Sequence, residues 1–121
     1  MTFDQTPAEA MKRRLREDLK AAMQARRTAE VKLLRVLVAA LDNAEAVPTE
    51  GHRTGYVVMA FGDPGAEVPR KMLGVDEVRG LLERERAERW TAAAELVAVG
   101  QDAAAQAMLD EAELVGRYLD R

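Results

Sequence analysis

The stretch LLRVLVAALDNAEA, Leu33 to Ala46, decides the fold. Leu, Val and Ala fill it until the polar patch of Asp42, Asn43 and Glu45. It reads as a membrane span, a core strand or a helix buried on more than one side. A span needs about 18 apolar residues in a row, and no run in the chain approaches that. A strand is shorter and poorer in Leu and Ala. At about 100° per residue, Val31, Leu33, Leu34, Val36, Leu37, Val38, Ala40, Leu41, Ala44 and Val47 cover a continuous arc of about 220°. Lys32, Arg35, Asp42 and Asn43 take most of the remainder. The stretch is therefore predicted as a central helix packed against several neighbours. Thr28 is its expected cap, after a tight hairpin at Arg26–Arg27. The polar end is expected to be the far face and exit of this helix.

Upstream, Thr6, Pro7 and Glu9 make a helix-start signature. Thr6 can cap, Pro7 suits the first helical position, and Glu9 can reach back to the Thr6 N–H. Ala8, Met11, Leu15, Leu19 and Ala22 then recur at helical spacing, a narrow stripe that suits the edge of a bundle. Downstream, Pro48 to Gly74 holds three of the four prolines and five of the eight glycines. It is expected as a long irregular loop between the second and third helices. Its apolar run, Tyr56 to Phe61, either forms a short β-hairpin with Ala66–Val68 or packs on the bundle. A third helix is predicted from Val75 to Val99, with Asp76 and Glu77 in its first turn and Gly100 as its stop. Val78, Leu82, Ala92, Leu96 and Val99 should face inward. A fourth helix runs from Asp102 to Leu119 along the seam Ala105, Met108, Ala112, Val115 and Leu119. The fold class is all-α, a four-helix bundle in one domain, residues 1–121.

The net charge of −3 is unevenly spread. Between Lys12 and Arg35 nine basic residues meet three acidic ones, and from Asp76 to Arg121 six basic meet eleven acidic. The expectation is that the two halves pair with each other, although such asymmetry also suits an anionic partner. Arg13, Arg16, Lys20 and Arg27 fall close together on one side of the first helix. Such a stripe meets phosphate backbones. No base-stacking aromatics interleave with it, so contact with backbone shape is expected rather than base readout.

Cys is absent, which excludes disulfides, zinc thiolates and a cysteine nucleophile and fits a cytoplasmic location. No signal-peptide h-region is visible. His52 lacks partners for a triad or a metal, and Gly62–Gly65 lacks the spacing and the Lys of a phosphate loop. Asp42 and Asn43 make a poor hard-cation site, because Glu45 is expected to project elsewhere. Glu85 and Arg89, four apart on the inner face of the third helix, read as a structural ion pair. Trp90 is expected to pack under the long loop. No catalytic residue, cofactor or metal site emerges, and no membrane partner.

Four blocks in order resemble the GatB/YqeY domain family: Leu15–Arg26 (LREDLKAAMQAR), Leu33–Ala46, the set Asp76–Val78 with Glu85, Arg89 and Gly100, and Glu111–Leu119 (EAELVGRYL). That family includes stand-alone YqeY-like proteins and the tail of the GatB subunit of the tRNA-dependent amidotransferase. The resemblance implies a helical accessory module with tRNA or another RNA as partner, and a family-level label of carbon–nitrogen ligase with glutamine as amido-N donor. No nucleophile, ATP loop or ammonia-generating site accompanies that label here. The alternative is a protein–protein interaction bundle. Asp120 stands where the family has Pro before a second, smaller helical domain, so only the first domain is expected.

Overall fold

The computed structural model describes residues 6–46 and 70–120. They form an all-α bundle of four helices: α1 (Pro7–Gln24), α2 (Thr28–Glu45), α3 (Val75–Ala98) and α4 (Asp102–Leu119). α1 starts as its sequence dictates: Thr6 is the N-cap, its Oγ1 accepts from the Glu9 N–H at 3.0 Å, and Pro7 opens the helix. At the start of α3 the Glu77 carboxylate accepts from the Gly74 N–H at 2.9 Å.

One turn geometry closes α1 and α3. After α1, Arg26 takes a left-handed conformation, φ 60°. The Arg27 N–H donates to the Ala22 carbonyl at 2.9 Å, and the Arg26 N–H to that of Met23 at 3.2 Å. After α3, Gly100 has φ 79°, and Gln101 and Gly100 donate to Leu96 and Val97 at 2.8 and 3.0 Å. Both are Schellman motifs, which satisfy the last carbonyls and reverse the chain at once. The reversal corrects the expected cap of α2. Arg27 leaves the turn directly into the helix and becomes the N-cap, so Thr28 is the first helical residue and no side chain caps α2.

The short turns set α1 antiparallel to α2 and α3 antiparallel to α4. Packing is closest within each pair, and α2 touches both α3 and α4. Leu15, Leu34, Leu37, Leu41, Leu82 and Val115 are the largest fully buried side chains, so the Leu33–Ala46 stretch sits at the centre of the bundle. Its buried arc is narrower than the sequence suggests, since Val36 stays 45% exposed. On α3 the inner face is rotated from the expected one. Leu81 and Ala93 are buried with Val78 and Leu82, whereas Ala92 and Leu96 are only half-buried. Val99 is 70% exposed, because it is already the C-cap turning toward Gly100. α4 buries Ala105, Ala112, Val115 and Leu119 of its predicted seam, leaves Met108 half-buried, and adds Leu114 and Tyr118.

Ala46 and Arg70 form an isolated antiparallel bridge, and the Lys71 N–H donates to the Glu45 carbonyl at 2.8 Å. The β-hairpin expectation and His52 lie outside the described residues. Among the described residues no helix is long and apolar enough to cross a membrane.

Candidate functional site

The buried charges come first, because they decide which basic residues remain available. Lys12 is buried on the flank of α1. Its Nζ donates to Asp42 Oδ1 at 2.8 Å and to Glu45 Oε1 at 2.5 Å. Glu45 is also buried and accepts from Arg70 Nη1 at 3.2 Å. Asp42 and Glu45, three apart on α2, thus converge, which corrects the expectation that Glu45 projects elsewhere. The cation they hold is the Lys12 ammonium. Burial alone would lower its pKa, but hydrogen bonds and charges from Asp42 and Glu45 outweigh that and raise it above the ordinary lysine value. The polar end of the stretch is therefore an anchor for α1 and for the chain entering α3, not simply a solvated exit.

Arg89 donates through Nη1 to Glu85 Oε1 at 2.8 Å and to the Glu85 carbonyl at 2.9 Å. Its Nε donates to Glu111 Oε1 at 2.9 Å, so the i,i+4 pair on α3 also grips α4. Tyr118 donates its hydroxyl to Asp18 Oδ2 at 2.5 Å. The Arg14 guanidinium lies 4.5 Å from the Tyr118 ring centroid. Burial, then the hydrogen bond and charge of Asp18, push the Tyr118 phenol well up. Trp90 is half exposed, with the Arg86 guanidinium 4.8 Å from its ring centroid. The loop expected to cover it lies outside the described residues. Among the described residues no three of His, Cys, Asp and Glu come together as metal ligands.

The basic stripe is partly dispersed. Arg13, Arg16 and Lys20 are exposed on one flank of α1, where with Glu9, Lys12 and Glu17 they line a shallow open groove. Arg13 lies 3.9 Å from Glu17. Arg27 does not belong to this surface. α1 ends at Gln24, so Arg27 is beyond the turn at the head of α2, 3.1 Å from Glu30. The helical wheel placed it with the others only by running the helix through the turn. Arg16 and Lys20 form no ion pair among the described residues.

α2 supplies what the wheel of α1 did not contain. Lys12 meets Asp42 across the α1–α2 seam. Lys20 lies about two turns beyond Lys12, and Arg35 about two turns before Asp42. In an antiparallel pair this sets Arg35, also exposed and unpaired among the described residues, level with Lys20. Arg35 thus brings one more exposed basic residue to the level of Lys20 on the neighbouring helix. The ion pairs described above each stay inside one hairpin or the chain beside it. These pairs do not supply the expected pairing of the basic half with the acidic half.

No protein-family model matches the chain, and no curated protein or solved structure matches it.

Proposed function

We propose that this chain is a non-catalytic, GatB/YqeY-like helical module that holds the backbone of tRNA or another structured RNA. The observation that carries the reading is the pair Arg16 and Lys20, exposed and without an acidic ion-pair partner among the described residues, in a chain of net charge −3. Arg35 extends the pair onto α2. Among the described residues no aromatic side chain lines this surface, so it suits phosphates at helical spacing rather than bases. The four sequence blocks that resemble the family point to tRNA as the RNA of first choice.

The test is a titration of labelled tRNA at several salt concentrations. Three neutralised phosphates give a log K against log salt slope of roughly −2 to −3. The double variant Arg16→Gln/Lys20→Gln should bind more weakly to every RNA tried and flatten the slope by about 1.5 units. No binding by the wild type at low salt would end the RNA reading. Equal binding by the double variant would move it to another face. A second reading, a protein-interaction bundle without RNA, is favoured by Trp90 and Leu109, which stand 50% and 41% exposed on the other hairpin.

A further inference from the structure

The outer face of the α3–α4 hairpin carries a groove lined by Arg86, Trp90, Leu109, Glu113, Arg117 and Asp120. Its centre is apolar and open: Trp90 is 50% and Leu109 41% exposed. Val97, 56% exposed, lies about two turns beyond Trp90 on the same flank of α3. Around this centre stand two arginines and two carboxylates. The Arg86 guanidinium is stacked on Trp90 and lies across Gly116, its Nη1 3.5 Å from where a Cβ would be. Its Nε is buried with no hydrogen-bond partner.

None of the four charged side chains forms an ion pair among the described residues, although all line one groove. Elsewhere on the same hairpin, neighbouring opposite charges do pair. Arg79 lies 3.6 Å from Glu83, and Arg89 bridges Glu85 and Glu111 at 2.8 and 2.9 Å. A face with an apolar centre and equal numbers of unpaired positive and negative groups is complementary to itself. A two-fold rotation can set the arginines of one copy against the carboxylates of the other. A foreign partner would need both signs in matching order, which a second copy has by symmetry. Trp and Arg are also the side chains that contribute most to interface affinity when solvent is excluded from them.

We infer that this groove is a two-fold interface between two copies of the chain, centred on Trp90 and Leu109. It lies on the hairpin that does not carry Arg16 and Lys20, so the basic surface plays no part in it.

Sedimentation of the full chain over a range of concentrations tests the inference, with the emission of Trp90, the sole tryptophan, as a local reporter. The mass should pass from monomer to dimer as concentration rises, and the emission should shift to the blue in step. Arg86→Glu/Arg117→Glu makes the face wholly acidic, and Glu113→Arg/Asp120→Arg makes it wholly basic. Each variant alone should self-associate at least about tenfold more weakly, a loss of about 1.4 kcal/mol. An equimolar mixture of the two should associate again. Leu109→Lys, an exposed change on the same face, gives a second variant if either charge variant fails to keep its helical circular dichroism. It too should be monomeric. A wild type that stays monomeric throughout overturns the inference, including one that captures only acidic or basic peptides. So does a dimer indifferent to these variants, or a mixture that does not associate.

Discussion

Lys12 is the one basic side chain buried among the described residues. It is 7% exposed and shared between Asp42 and Glu45. Lys12→Met keeps most of the stem volume but leaves two carboxylates facing each other. Breaking a buried pair from one side costs about 3–5 kcal/mol. Arg70 still serves Glu45, and Asp42 can turn to solvent, so the loss should sit near the low end, about 3 kcal/mol in urea melts. A loss below about 1 kcal/mol would mean that both acids relax into water. The pH dependence follows from the sign of the shift. The folded pKa of Lys12 is raised above its ordinary 10.5. The stabilisation is therefore complete below that ordinary value and is lost as pH rises through the folded one. The Tyr118 phenol is raised as well, so its neutral form belongs to the folded state and the two effects add. Stability should fall as pH rises above about 10, near the ordinary values of the phenol and the ammonium, and go on falling through their raised folded values, and less steeply in Lys12→Met/Tyr118→Phe than in the wild type. An equal slope in that double variant would place the alkaline sensitivity elsewhere. None of this was legible in the linear sequence. Asp42 and Glu45 were visible as a polar end, but their partner is 30 or more residues away, and periodicity carries no information about the register between two helices.

At the scale of elements, the two hairpins use one turn with two different residues, and the difference predicts a stabilising change. Gly100 adopts its φ of 79° at no steric cost. Arg26 holds φ 60° with a Cβ, a conformation that costs about 1–2 kcal/mol in a residue other than Gly. Arg26→Gly removes that strain and adds about 0.4–1 kcal/mol of unfolded-chain entropy. The net gain should reach up to about 1 kcal/mol, measured as a higher urea midpoint with unchanged m value. Gly100→Ala should cost about 1 kcal/mol. A destabilised Arg26→Gly would show that the Arg26 side chain contributes contacts that outweigh the strain. The second turn was readable because Gly is the usual signal for this conformation. The first turn was placed correctly at Arg26–Arg27, but its left-handed residue was not readable, because Arg26 carries no such signal. The expected Thr28 cap and the inclusion of Arg27 in the basic stripe both failed for that reason. Where composition and period agree locally, as in Thr6–Pro7, the Leu33–Leu41 core run and the α4 seam, the structure follows the sequence reading closely.

At the scale of the molecule, the bundle is two hairpins joined mainly by their apolar inner faces. The hydrogen bonds described between them are Tyr118 to Asp18 at 2.5 Å and Arg14 Nη2 to the Arg117 carbonyl at 3.2 Å. Leu33 of α2 and Leu114 of α4, both buried, line a common groove at this junction. Separated, each hairpin would expose that face to water, and an isolated pair of helices has too little other burial to offset its conformational entropy. Peptides spanning 6–46 and 70–120 should therefore be largely unfolded alone, and their mixture should show more helical circular dichroism than the sum of the two. The charge distribution adds a second expectation. The first hairpin is basic and the second acidic, and the ion pairs described above each stay inside one hairpin or the chain beside it, so attraction between the hairpins is expected to act mainly through the long-range field. Screening at high salt should then weaken the mixed complex several-fold without abolishing it, since the Debye length falls from about 10 Å at 0.1 M to about 3 Å at 1 M while apolar burial is not screened. Abolition by salt would make the junction electrostatic. Full helicity in each peptide alone would make each hairpin a folding unit, with the Leu33–Ala46 helix stable without half of its neighbours.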